Sequence, residues 1–164
     1  MGNMKTFFHN LTGKRTIGAI CLLLFITLLL GCEKLPDNYK ISIGCGGGFA
    51  GTHQSYTVAQ DGTVYYSVQS SVDPNQNREG MIIGDISKTD VIEYYSRLAD
   101  IEFMNIDYVN PDNMSCSLGL TVGETIHSVT WPMMFNETEP PDEIKTIVDI
   151  FKDIDKMVSP LKPG

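Results

Sequence analysis

Four cysteines, three histidines and a run of glycines are the residues of this 164-residue chain whose types could do chemistry. His53 and His127 are the two histidines beyond residue 31. Neither has ligand spacing, because the chain holds no His-x-x-x-His and no Cys-x-x-Cys to bring two donors to one metal ion. His127 falls opposite Leu120 in the hairpin register described below and reads as a half-buried core histidine rather than a ligand. Cys45 and Cys116 both fall on apolar strand faces. A nucleophilic thiol needs a base and a positive surrounding, and an acidic chain with thiols on apolar faces argues against both, so the pair reads as a disulfide or as two packed thiols. The run Gly46-Gly47-Gly48-Phe49-Ala50-Gly51 raises phosphate binding. A phosphate loop opens a helix whose N-terminal amides meet the anion, whereas this run leads into another alternating strand and has no following Lys-Ser/Thr. The carboxylates fall on helix surfaces and in loops, with no pair assigned to one cleft. The chain is therefore expected not to be an enzyme, and to need no cofactor and no metal.

Cys32 differs from the other cysteines in its setting. Lys5, Lys14 and Arg15 make a basic start without acidic residues, and Ile17 to Leu30 is almost wholly apolar, including Cys21. The run ends Leu29-Leu30-Gly31-Cys32, and Glu33, Lys34, Pro36 and Asp37 follow at once. This layout is a secretory signal whose apolar part is short for a stable bilayer crossing. A small residue before a cysteine at the end of such a run resembles the lipobox of bacterial lipoproteins. The resemblance implies that residues 1–31 are a signal peptide, that the Cys32 thiol receives a diacylglycerol, and that its new amine is acylated, with palmitate as the typical chain. Each buried methylene contributes roughly 0.8 kcal/mol, so two or more chains hold a protein on a membrane without spanning it. The expected product is a cell-envelope lipoprotein on the inner or outer membrane, periplasmic or surface-exposed.

Without the leader, 133 residues remain, enough for one core. The leader takes three of the twelve basic residues and no acidic one, which leaves nine against twenty and a formal net charge of −11. A body so acidic is a poor partner for nucleic acid or an anionic lipid surface. It suits a soluble module on a tether, or one that meets a basic partner.

The elements that must position these residues follow from periodicity. Residues 32–38 read as lipidated cysteine and tether, and 39–164 as a single domain. Tyr39 to Cys45 alternates as a strand. Gln54 to Ala59 and Thr63 to Val68 form a hairpin, and a three-residue Gln60-Asp61-Gly62 loop sets Val58 opposite Val64 and Tyr56 opposite Tyr66. Ser71 to Gly80 is polar and reads as a loop, and Met81 to Ile86 extends the sheet. Ser87 caps a helix with the apolar stripe Val91, Ile92, Tyr95, Leu98 and Ala99. Phe103, Met104 and Ile106 close the core after it. A second hairpin, Met114 to Val122 and Thr125 to Trp131 about Gly123-Glu124, sets Leu118 opposite Val129, Leu120 opposite His127 and Cys116 opposite Trp131. Pro140 and Pro141 suit the first turn of a last helix, whose stripe is Ile144, Ile147, Val148, Phe151, Ile154 and Val158, with Pro160 as its stop. The expected fold is α+β: an antiparallel sheet built from two hairpins, with two helices packed on one face.

The segment from Ile41 to Gly51, ISIGCGGGFAG, resembles the first strand and turn of the emfourin family, small bacterial inhibitors of protealysin and related thermolysin-like metalloproteases. Gly47, Gly48, Phe49, Ala50 and Gly51 carry the match, and the order of the later elements agrees with it loosely. The chain departs from the pattern in its strand Thr63 to Val68. There, Tyr56-Thr57-Val58 and Asp61-Gly62-Thr63-Val64-Tyr65-Tyr66 are similar to a strand pair in uncharacterised bacterial lipoprotein domains. The emfourin resemblance implies a binding module that inhibits a protease, with Gly47 to Gly51 as the contact loop. The alternative is a structural or assembly lipoprotein in which the glycines serve only a tight return between strands. Trp131 to Pro141, with Met133, Met134 and Phe135, is expected either to join the loop in an interaction patch or to cover the sheet edge.

Overall fold

The computed structural model describes residues 35–49, 51–134 and 139–162. The expected signal peptide, Cys32, Ala50 and Phe135 lie outside the described residues. Six strands form one antiparallel sheet: β1 (Tyr39–Gly47), β2 (Thr52–Ala59), β3 (Thr63–Ser70), β4 (Arg78–Asp85), β5 (Met114–Val122) and β6 (Thr125–Pro132), in the order β4-β3-β2-β1-β5-β6. Two helices accompany it, α1 (Lys88–Asp100) and α2 (Asp142–Val158), and the class is α+β. β1 is central, pairing with β2 on one side and β5 on the other.

Register follows from the alternation of large apolar and small polar side chains. Val58 lies opposite Val64 and Tyr56 opposite Tyr66. Leu118 lies opposite Val129, Leu120 opposite His127 and Cys116 opposite Trp131. A one-residue slip in either pair would move every apolar side chain to the other face. The turns are built for these registers. Gly62 adopts φ +101°, where a side chain would be strained, and the Asp61 carboxylate accepts the Thr63 N–H at 3.0 Å. Ile41, Ile43, Val58, Val64, Leu118 and Val129 join Val91 and Leu98 of α1 and the stripe of α2 in one buried cluster. Aromatic pairs stitch helix to strand: Tyr39 to Tyr95 at 4.3 Å between ring centroids, and Trp131 edge-on to Phe151 at 5.3 Å. Among the described residues the cluster lies wholly between Tyr39 and Leu161, within the unit from Pro36 onward.

Four elements differ from expectation. β1 runs on to Gly47 and takes in the first two glycines of the run. β4 starts at Arg78, inside the expected polar loop. It is an edge strand, exposed over most of its length, so it has no core face to impose an alternating pattern. In front of it Asp73 caps a short 3₁₀ turn, Pro74–Gln76, and Asn77 Oδ1 accepts the Ser70 N–H. In α1 the buried line is Val91, Tyr94 and Leu98, with Ala99 exposed and Ile92 and Tyr95 only half-buried. In α2 Ile150 is buried and Phe151 half-buried. That helix buries an arc wider than one stripe, and Arg97 of α1 reaches its flank to pair with Asp153 at 2.8 Å. Pro141 is the cap of α2 rather than part of its first turn, and beyond the helix Pro160 sits inside a final 3₁₀ turn, Ser159–Leu161.

Candidate functional site

The turn between β1 and β2 is where the fold commits most glycines. Gly47, Gly48 and Gly51 have φ of +112°, +72° and +54°, all in the region that favours glycine. Gly46 has a second constraint: a Cβ there would collide with the Cα of His53 and with Thr52 O, which lies 2.5 Å away. A Cβ on Gly47 would collide with Asn113 O. The amide of Gly48 donates to that same carbonyl at 2.6 Å, and the amide of Gly51 donates to Gly48 O at 3.0 Å, closing the turn. These glycines therefore serve the strand return. The same turn holds Phe49 fully exposed, at 103% of its reference area.

Phe49 is not alone at this end of the sheet. Val72 on the β3–β4 loop is 69% exposed and Met134, just past β6, is 80% exposed; Met114 and Met133 are also exposed. The hydrogen bonds make them neighbours. Met133 N–H donates to Met114 O at 2.8 Å and Ser71 N–H donates to Gly51 O at 3.0 Å. A Cβ on Gly48 would lie 3.5 Å from Met114 Cγ, and one on Gly51 3.7 Å from Val72 Cγ2. The apolar row thus runs from Val72 through the turn to Met114, Met133 and Met134. Single exposed apolar residues are ordinary, but a contiguous row is the usual mark of an interaction surface.

Behind the row a cleft of about 380 Å³ opens between the sheet and the C-terminal half of α2. Cys45, Tyr56, Met114, Met133 and Phe151 form apolar wall, and Asp155, Ser159 and Lys162 line it on the α2 side. Lys162 Nζ donates to Gln54 Oε1 at 2.7 Å and sits over the Tyr66 ring. Burial raises the Tyr56 phenol above its ordinary pKa; a hydrogen bond with Ser159 works the other way, and nearby Tyr66 and Asp155 add to the rise. Cys45 and Cys116, directly opposite in the β1–β5 register, form a disulfide with Cα atoms 4.0 Å apart. This settles the choice between bonded and packed thiols. The bond ties the strand that carries the glycine turn to the strand that starts at Met114.

The histidines lie apart. His127 Nε2 is 2.9 Å from Ile106 O and its ring meets Phe103 edge-on, a satisfied half-buried position. His53 is exposed on β2 and shares the lining of a polar hollow of about 550 Å³ with Arg78 and Glu79. Among the described residues no group of three or more His, Cys, Asp or Glu is placed to hold a metal ion. No described helix is long and apolar enough to cross a membrane.

Compared with known proteins, the chain matches no family model and no curated protein. Sequence reasoning singled out Gly47 to Gly51 and weighed Met133 and Met134, but passed over Val72 and Met114. Val72 sat in a segment read as polar loop, and Met114 was counted as the first residue of a strand. Their common signal is a large apolar residue at or just beyond a strand end, outside the alternating part.

Proposed function

We propose that this chain is the precursor of a bacterial envelope lipoprotein, anchored through Cys32, whose domain is a non-enzymatic binding module that inhibits a thermolysin-like protease with its glycine turn. One observation carries the reading: Phe49 stands fully exposed on a turn that three positive-φ glycines make possible, within a contiguous apolar row. An aromatic flanked by glycines offers a large apolar contact with room for close backbone approach, the character of a binding anchor. The finer fold proposed with it has two hairpins at the heart of the sheet and both helices on one face. In its support, alternate strand residues join the helices in the core while Ser42, Ser55, Thr57, Ser67 and Ser128 between them are polar and small. Such a platform holds the turn rigidly from behind.

The test is inhibition of purified thermolysin-like proteases by the soluble domain starting after Cys32, with Phe49→Ala as control. Inhibition that is lost in the variant supports the reading; no inhibition across several such enzymes removes the protease and leaves a structural or assembly lipoprotein. Anchoring is tested separately in cells: Cys32→Ser is expected to shift the protein from the membrane to the soluble fraction, and an unchanged membrane fraction contradicts the lipid anchor. The polar hollow at His53 gives the enzyme alternative its own check, because ester or peptide turnover abolished by His53→Ala contradicts a purely binding role.

A further inference from the structure

The apolar row and the cleft behind it are continuous, since Met114 and Met133 belong to both. Phe49, Val72, Met114, Met133 and Met134 are all exposed at this end, and apolar residues gathered in this way are the usual mark of an interaction surface. Three occupants are conceivable, and charge separates them. A bilayer is the first. The described residues hold ten more acidic than basic side chains, which disfavours an anionic headgroup surface. A second copy is the next. The described residues carry eighteen acidic and eight basic side chains, so two such bodies repel.

The third occupant is a basic partner, and the acidic excess of the domain favours it. Arg78 donates to Asn75 O and Asn77 O, and Lys162 to Gln54 Oε1, so these donors are held by acceptors of the domain itself. Asp73 adjoins Val72, Asp112 lies two residues before Met114, and Asp155 lines the cleft together with Lys162. We propose that this pole receives a partner-protein segment in which a large apolar side chain is flanked by Lys or Arg. The apolar side chain fills the cleft against Met114, Met133 and Phe151, and the cations face Asp112 and Asp155. The inference rests on the binding-module reading and extends its site from the glycine turn to the cleft.

The test uses the soluble domain with methionine methyls labelled for NMR. The probe is a twelve-residue peptide with one Phe between lysines; its controls replace the lysines by Glu or the Phe by Ser. The methyls of Met114 and Met133 are expected to shift with the basic apolar peptide, with those of Met104 and Met157 unmoved. Both controls are expected to bind at least tenfold more weakly, and Met133→Ser to weaken the probe at least tenfold. Unmoved methyls, or equal binding of the acidic peptide, overturn the proposal. So does binding to phosphatidylglycerol vesicles through the same methyls, or a concentration-dependent dimer that shifts them. The two readings fail separately. Protease inhibition without movement of Met114 and Met133 removes the cleft and keeps the turn; peptide binding without inhibition removes the protease and keeps the cleft.

Discussion

The two ends of the sheet are built from similar turns and place different side chains in them. At the end where the chain enters β1, the Asp61-Gly62 and Gly123-Glu124 turns are polar, and their amides and carbonyls have partners: Gly62 O accepts from Ile86, and Gly123 N–H donates to Asn38 O. At the other end the backbone is tied as firmly, by Gly48 to Asn113 and Ser71 to Gly51. There, however, the residues between the ties are Phe49, Val72 and the methionines, left in solvent. The binding role proposed above would give that exposed phenylalanine a use. The difference separates glycines that serve the fold alone from glycines that serve the fold and also present a side chain.

The largest expected effect lies in the disulfide that fastens the far end. It closes a loop with a sequence separation of 71, and the Cys45→Ala/Cys116→Ala double variant is expected to lose about 4 kcal/mol in urea unfolding by the chain-entropy relation. A loss confined to a few tenths would mean that β1 and β5 hold the turn without it. Next come the glycines. Gly47→Ala adds a backbone clash to an unfavourable φ and is expected to cost about 3 kcal/mol. Gly123→Ala, with nothing near its Cβ, is expected to cost about 1 kcal/mol, from φ alone. Equal costs at the two ends would erase the contrast between them.

Phe49→Ala is expected to change stability by less than about 0.5 kcal/mol, because the side chain is already in water; a larger loss of Tm would show that the ring packs on the fold. The smallest effect is in pH. Backbone N–H groups, of Thr63 for Asp61 and of Asn75 for Asp73, hold both carboxyls below their ordinary pKa. A lowered folded value means that their contribution is present above the ordinary carboxylate range and is lost as pH falls through the lowered value. The Tm gap between wild type and Asp61→Asn should therefore close on acidification, and a gap constant to pH 2 would contradict the assignment. Both turns are exposed, so screening keeps this small.

The parts of the fold that could be read in advance are those where one physical rule acts alone. Val58 opposite Val64 and Leu118 opposite Val129 follow from period-two alternation plus loop length. Tyr94 and Ile150 were missed because a helix that touches more than one neighbour buries more than one stripe. Arg78 to Gly80 were missed because an edge strand exposed on both sides carries no alternation. At the site, the glycines announced a special turn, but only tertiary pairing could bring Val72, Met114 and Met133 beside Phe49, since they come from four separate stretches of chain. The disulfide was open until the β1–β5 register set Cys45 against Cys116.

Hydroxyl-radical footprinting of the soluble domain, alone and with a thermolysin-like protease, would place the contact on the molecule itself. Protection of Phe49, Met114, Met133 and Met134, with Ile126 and Val109 still reactive, is the expected result. Protection at Ile126 and Val109 instead, or at none of these residues under conditions where the protease is inhibited, would contradict the assignment of the glycine-turn end as the binding surface.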